Sequence, residues 1–347
     1  MIIFSIETSC DDTCVSFIKV NEKKKSKIKI LSNLISSQIE LHKKYGGVYP
    51  LMAQREHQKN LPLLFEKAKK EAGSPKIDLI AVTIGPGLDP CLWAGVNFAK
   101  NLSEKLKVSI LPVNHIEGHI YVNFIESDLD FQEVFPAICL IVSGGHTQLI
   151  LVKDFGSYKI LGETRDDAAG ECFDKIGRML GLGYPGGPAI EKEARKEIKR
   201  RRGIKLPKPM MFQKNYDFSF SGLKTAVLYN YKNQDLKTQK DKDYIREICH
   251  ETQKAIIDVL LFKTIKAIKD HNVKSIILGG GVTANKELRK SFQEKIKKDL
   301  SRVNLYLPDI QYSTDNSLMI GLTAYYYWLK NDVKMSEKIT VNPNLRI

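Results

Sequence analysis

Apolar and polar positions along this chain sort into short strand-like runs closed by polar turns, alternating with longer helical stretches. Ile2 to Glu7 reads as a first β-strand, Thr8-Ser9-Cys10-Asp11-Asp12-Thr13 as a polar turn, and Cys14 to Val20 as a second strand. The pattern returns in mid-chain, where Ala137 to Val142 is apolar, Ser143-Gly144-Gly145-His146-Thr147 turns, and Gln148 to Val152 is again strand-like. Short apolar runs bounded by turn residues are the mark of paired strands. Two such strand–turn–strand units roughly 130 residues apart, each followed by helical and strand segments, predict a duplicated α/β domain.

A third turn closes a strand late in the chain. Lys274 to Leu278 is apolar and β-branched, Gly279-Gly280-Gly281-Val282 follows, and Lys286 to Leu300 has helical periodicity. Backbone amides in such a strand–glycine turn–helix unit can approach an adenosine or a phosphate closely. The run is neither a Walker A sequence nor a GxGxxG fingerprint. Helical periodicity also marks Leu92 to Leu106, Tyr244 to Lys269 and Leu318 to Leu329, while Asn233 to Asp243 is charged and reads as an exposed connection. Asp315 precedes the last of these helices, where a carboxylate suits a cap.

Composition bounds the rest. A chain of 347 residues exceeds one ordinary core, so two domains are expected. No apolar run approaches the roughly 20 residues that span a bilayer, and no membrane partner is expected. Met1 to Glu7 lacks a basic n-region and reaches an acid too early for a signal peptide. The six cysteines show no CxxC pair or framework spacing and read as free thiols, Cys10 and Cys14 lacking further sulfur ligands for a metal. These features together point to the cytoplasm. The net charge of +14 is clustered at Lys23 to Lys29 and at Lys196 to Lys208, which contains Arg200-Arg201-Arg202. Such clusters are either a solvated surface or the footprint of a polyanion such as nucleic acid; no zinc-finger, RRM or KH signature narrows the choice.

The strongest local chemistry is Pro112-Val113-Asn114-His115-Ile116-Glu117-Gly118-His119. Histidines four residues apart share one helix face and can reach a single metal ion. The spacing is that of the zinc-protease motif His-Glu-x-x-His, but that motif needs its glutamate directly after the first histidine. Ile116 stands there, and Glu117 lies about 200° around the helix from His115. The pair is then either a metal-ligand set or two satisfied or surface histidines, which the rest of the sequence must decide; a peptidase does not follow.

Taken in order, the motifs resemble one known family. They are Glu7-Thr8-Ser9-Cys10-Asp11, Gly46-Gly47-Val48 with Arg55 and His57, Gly85-Pro86-Gly87-Leu88, and His115 to His119. Val142-Ser143-Gly144-Gly145-His146-Thr147, Asp166 to Glu171 with Phe173-Asp174-Lys175, and Gly183-Tyr184-Pro185-Gly186-Gly187 continue the series. Phe218 to Lys224, Gly279 to Val282 with Asn285, and Thr314-Asp315-Asn316 complete it. From Ile3 to about Tyr325 the chain resembles the bacterial TsaD family, tRNA adenosine threonylcarbamoyltransferases once described as glycoproteases.

The resemblance implies an α/β protein of the two-lobed actin/Hsp70-like (ASKHA) fold, with duplicated RNase H-like domains and an interlobe cleft. The lobes would be residues 1–134, completed by 312–347, and residues 135–311. It implies transfer of a threonylcarbamoyl group from threonylcarbamoyl-adenylate to the exocyclic amine of the adenosine 3′ of the anticodon, in tRNAs reading codons that begin with adenine, with release of AMP. By the same resemblance His115, His119 and Asp315 hold one divalent metal ion per subunit, Fe(2+) or alternatively zinc. Substrate contacts carry over to Ile141, Val142, Ser143, Gly144, Gly145, Asp174, Gly187 and Asn285. The partners implied are tRNA, a TsaB-like paralogue, a TsaE-like ATPase and a TsaC-like synthase that supplies the adenylate. No general base is identified; His146 and Asp11 are the candidates.

Departures from the family pattern fall at Leu51, where Pro-Glu is usual, at Pro90 and Trp93 after the Gly-Pro-Gly-Leu loop, and at Asp12 in place of glutamate. Leu51, Pro90 and Trp93 bear on partner contacts. Three other readings compete, one of them a non-catalytic paralogue that scaffolds a complex, which should have lost the metal ligands that this chain keeps. A metallopeptidase is disfavoured by the misplaced glutamate, and an ASKHA-type ATPase or kinase leaves the histidine pair unexplained.

Overall fold

The computed structural model describes residues 1–21, 28–125, 131–330 and 339–347. The chain forms two compact units, Met1–Leu129 with Thr314–Ile347, and Asp130–Ser313.

The first unit is built on a five-stranded sheet of β1 (Ile2–Glu7), β2 (Asp12–Lys19), β3 (Lys29–Ser37), β4 (Leu79–Gly85) and β5 (Ile110–Asn114), in the order β3-β2-β1-β4-β5. β1 pairs antiparallel with β2, setting Phe4 opposite Phe17 and Ser5 opposite Ser16, and parallel with β4. Alternate residues therefore face opposite sides. Phe4, Ile6, Val15 and Phe17 pack with Leu61 and Phe65 of helix Pro50–Glu71 and Val96 of helix Asp89–Leu106. On the other side Ser5 and Ser16, hydrogen-bonded at 2.6 Å, lie under helix Ser317–Leu329. That helix buries ten of its thirteen residues, which is why its sequence is apolar all round.

The second unit repeats this plan with β6 (Ala137–Val142), β7 (Thr147–Asp154), β8 (Ser157–Glu163), β9 (Ser275–Gly279) and β10 (Asn304–Tyr306), ordered β10-β9-β6-β7-β8. β6 pairs antiparallel with β7 and parallel with β9, as β1 does with β2 and β4. Its core joins Ile138, Leu140 and Val142 to Ile176, Ile256, Leu260 and Leu278. The duplication read from the sequence is real, and each unit has its first turn at the end of its central strand.

Several boundaries differ from the hydrophobic pattern, each for a polar reason. β2 begins at Asp12 because Asp12 and Thr13 continue the ladder opposite Ser37 and Ser36. Residues 233–243 are largely exposed, as expected, but are ordered by two aspartate caps. Asp235 accepts from Thr238 N at 2.7 Å and caps helix Leu236–Gln239. Asp241 accepts from Asp243 N at 2.9 Å and starts helix Lys242–His271 two residues before its apolar periodicity.

Candidate functional site

β5 ends at Asn114, whose side-chain oxygen accepts from Ile116 N at 2.8 Å and caps helix His115–Tyr121. Helical geometry from His115 onward puts His119 one turn away on the same face. Helix Ser317–Leu329 packs against this one closely enough that a Cβ at Gly118 would lie 2.9 Å from Met319 Cγ. The close approach sets Asp315 beside both rings. Its Oδ1 is 3.3 Å from His119 Nε2 and 3.6 Å from His115 Nε2. Ligand-capable atoms of His115, His119 and Asp315 all lie within 4.8 Å of one another, the one group of this kind among the described residues. Asp315 is not the cap of its helix. Asn316 is, accepting from Met319 N at 3.1 Å. Glu117 accepts from Tyr327 Oη at 2.6 Å and stands outside the cluster.

Burial and charge compete across these groups. Glu7 Oε2 lies 3.0 Å from His115 Nδ1, and both residues are buried. Burial opposes charge on either partner, but attraction to Glu7 and Asp315 prevails on the imidazole, raising it to about 9. Glu7 is likewise held below its ordinary value against its burial, by the His115 charge and hydrogen bond. His119 is pushed down by burial against the pull of Asp315 on Nε2, and its Nδ1 has no hydrogen-bond partner. A buried imidazole kept neutral, beside a carboxylate and a second imidazole, is a donor set that suits a divalent cation. Cys10 and Cys14 are outside it, their thiols pushed far up by burial.

The turn after β1 is acidic and enclosed. Burial raises Asp11, and raises Asp12 to about 7, where Asp12 Oδ1 also lacks a hydrogen-bond partner. A carboxyl raised on folding stabilises the folded state below the unfolded value near 4 and loses that contribution as pH climbs through about 7. The unfolding temperature is therefore expected to fall across that window, and Asp12→Asn to flatten the fall and raise the midpoint by about 2–4 °C above the window. Thermal unfolding followed by circular dichroism against pH checks this; an unchanged slope in the variant would rule it out.

The second unit gathers most of the expected substrate residues around the turn after β6. Ile141 and Val142 are fully buried strand residues, so their side chains offer a ligand no surface. Ser143 closes the turn, accepting from His146 N through Oγ at 3.1 Å and donating its own N–H to His146 O at 2.8 Å. The glycine turn after β9 presses on it: Gly280 has φ +89°, and a Cβ there would lie 2.5 Å from Val142 O. Gly144 and Gly145 differ, since an added Cβ would meet nothing within 4 Å and neither has a left-handed φ. Nothing in the fold requires glycine there; its absence of side chain leaves an open approach to the turn's backbone.

Asp174 and Asn285 are engaged within the fold. Asp174 Oδ1 accepts from Gly186 N at 2.7 Å, tying helix Ala169–Met179 to the start of helix Gly186–Ala194. Gly187 beside it is open, with only Phe173 Cβ at 3.9 Å from an added Cβ. Asn285 caps helix Lys286–Asp299 by accepting from Leu288 N at 3.0 Å, and its Nδ2 donates to Gln253 Oε1 at 2.8 Å. Two further motifs lock each other. Asp166 accepts from the hydroxyls of Ser219 and Ser221 and from the amides of Phe220 and Ser221, while Asp167 pairs with Lys175 and Lys224 at 2.7 and 2.8 Å.

The basic segment Lys196 to Lys208 is largely paired. Arg202 meets Asp241 at 2.7 Å, Lys208 meets Asp258 at 2.6 Å, and Glu247 accepts from the backbone of Arg202, Gly203 and Ile204. These contacts seat the segment against helix Lys242–His271 and its Asp241 cap. Most of the other cluster, Lys23 to Lys29, lies outside the described residues. No helix among the described residues is long and apolar enough to cross a membrane.

Solved structures with the same fold include the HypF of T. kodakarensis (TM-score 0.59, 14% identity, 95% of this chain and 47% of that one). Component A of the Acidaminococcus fermentans (R)-2-hydroxyglutaryl-CoA dehydratase matches with TM-score 0.51 at 13% identity, over 94% of this chain and 99% of that one. With the repeated sheets, these place the chain in the actin/Hsp70-like class. In sequence, the tRNA N6-adenosine threonylcarbamoyltransferase of Thermosipho africanus (strain TCF52B) is 45% identical over the whole of both chains. That of Clostridioides difficile (strain 630) is 42% identical over 100% of this chain and 98% of its own. The family profile "TsaD: tRNA N6-adenosine threonylcarbamoyltransferase" matches residues 29–322. The chain belongs to the TsaD family of tRNA N6-adenosine threonylcarbamoyltransferases.

Proposed function

We propose that this transferase carries the threonylcarbamoyl group of threonylcarbamoyl-adenylate to the exocyclic amine of the adenosine 3′ of the anticodon in tRNAs reading codons that begin with adenine. The observation that carries the reading is full-length identity to transferases of that name. In the reaction the amine nitrogen attacks the carbamoyl carbon, the bond from that carbon to the AMP phosphate oxygen breaks, and the amine gives up a proton. Because the mixed anhydride is already activated, positioning supplies much of the acceleration.

The Ser143–His146 turn supports adenylate binding, its backbone approachable at Gly144 and Gly145. Asp174 has the chemistry to hold ribose hydroxyls while it ties down the start of helix Gly186–Ala194. Asn285, already fixed at both ends of its amide, offers a rigid edge to the same ligand. His115, His119 and Asp315 would hold one Fe(2+), with zinc the alternative; two imidazoles and a carboxylate suit either. When bound, the ion supplies Lewis acidity and a point of orientation. A TsaB-like paralogue, a TsaE-like ATPase and a TsaC-like synthase complete the proposed cytoplasmic system.

The test is incubation of the protein with those partners, tRNA, threonine, bicarbonate and ATP, followed by mass spectrometry of the nucleosides. Threonylcarbamoyl-adenosine should appear; its absence with every partner active would sink the reading. Gly144→Val should fold with an unchanged unfolding midpoint, since its Cβ meets open space, yet lose more than about 10-fold in adenylate affinity, the scale of one or two blocked hydrogen bonds. Unaltered adenylate binding by calorimetry would place the donor elsewhere.

A further inference from the structure

Glu7 quotes as part of the first-turn motif but has no role in the reading above. Its carboxylate is fully buried and accepts three hydrogen bonds: Ser9 N on Oε1 at 2.5 Å, and Thr83 Oγ1 at 2.5 Å and His115 Nδ1 at 3.0 Å on Oε2. We infer that Glu7 is a positioning residue that keeps a proton on His115 Nδ1, so that the lone pair of Nε2 faces His119 and Asp315. The inference rests on the proposed metal centre and adds the group that orients one of its ligands. A histidine that donates its outer N–H to a carboxylate is fixed in both ring orientation and tautomer.

The surroundings of Glu7 make the isosteric variant informative. Ser9 N is a backbone donor and cannot reverse its role, so in Glu7→Gln the amide oxygen must take the Oε1 position. The amide NH2 then takes the Oε2 position. Thr83 can turn its hydroxyl to accept, but His115 Nδ1 meets a donor where it had an acceptor. Ser9 Oγ, 3.2 Å away, is then the acceptor left to Nδ1, so the tautomer with its proton on Nε2, where it occupies the lone pair that faces Asp315, gains population. Glutamine thus preserves shape and packing while removing the carboxylate that favours the Nδ1–H tautomer, and a merely structural Glu7 would tolerate it.

The experiment uses Co(II) as the probe, with affinity measured by chelator competition on the full chain. Glu7→Gln is expected to unfold near the wild-type temperature and to bind Co(II) about 10–100-fold more weakly, the usual loss for an outer-shell partner. Thr83→Val removes the other side-chain donor on Oε2 and is expected to change the affinity by less than about 3-fold, since the His115 bond remains. Wild-type affinity in Glu7→Gln, or an equal loss in Thr83→Val, would overturn the inference. Should Glu7→Gln not fold, long-range 1H–15N spectra of the Zn(II)-loaded wild type decide. Nδ1 of His115 should carry the proton and Nε2 the metal, and the reverse would overturn the assignment. Failure of the wild type to bind Co(II) would instead refute the metal centre itself.

Discussion

His119→Ala is expected to abolish both metal binding and tRNA modification. Loss of an outer partner alone costs 10–100-fold in metal affinity, and loss of one of three ligands costs more than about 100-fold. The metal-free protein should nevertheless keep much of its stability. Nδ1 of His119 is buried without a hydrogen bond, and such an atom costs about 1–3 kcal/mol that the alanine no longer bears. Lost ring packing opposes this gain, so the midpoint of the metal-free variant should stay near that of the metal-free wild type. Calorimetric metal titration and thermal unfolding, run on the same preparations, check both halves. A variant that bound metal as the wild type does would remove His119 from the site, and one that failed to fold without metal would show that its ring is needed for packing.

Gly280→Ala is the second large effect, and it acts on the other unit. Gly280 has φ +89° and ψ +157°, a region that side-chain-bearing residues scarcely enter, and its Cβ would sit 2.5 Å from Val142 O. Such a conformation costs of order 1–3 kcal/mol before the clash is counted. The backbone of either the Gly279–Gly281 turn or the Val142–Ser143 strand end must shift. The unfolding midpoint should drop by several degrees, at about 2–4 °C for each kcal/mol. Adenylate binding should fall with it, because the displaced backbone is the one that presents the Ser143–Gly145 turn. Gly144→Val and Gly280→Ala therefore separate two effects: the first blocks the approach without strain, and the second strains the turn without blocking it. Retained stability and retained binding in Gly280→Ala would mean that the two turns are not packed as described.

How much of this the sequence disclosed depended on which forces were at work. The strand–turn–strand repeats were legible because apolar alternation at Ile2–Glu7 and Ala137–Val142 records burial directly. The histidine pair was legible because helix geometry alone sets its spacing. Polar contributions were harder to read. β2 extends through Asp12 and Thr13 by backbone pairing that hydropathy does not register. Residues 235–243 are organised by two aspartate caps inside a charged stretch. Asp315 and Asn316 are both plausible caps by type, and only the packing of the last helix against Gly118 turns Asp315 to the histidines. Glu7 is 108 residues from His115, so no local pattern joins them. Lys196 to Lys208 reads as either a solvated surface or a polyanion footprint, and hydropathy does not register that Arg202 and Lys208 pair with Asp241, the cap of helix Lys242–His271, and with Asp258 within it; exposed pairs of this kind add little stability.

Single-turnover transfer measures the central claim most directly. Threonylcarbamoyl-adenylate, prepared beforehand, is mixed with the metal-loaded protein, its partners and tRNA, with no threonine or bicarbonate present. AMP and threonylcarbamoyl-adenosine are quantified at intervals. A transferase of the kind described releases one AMP for each adenosine modified, and His119→Ala releases none above the uncatalysed rate. AMP released without modified tRNA, or modification that survives loss of His119, would contradict it.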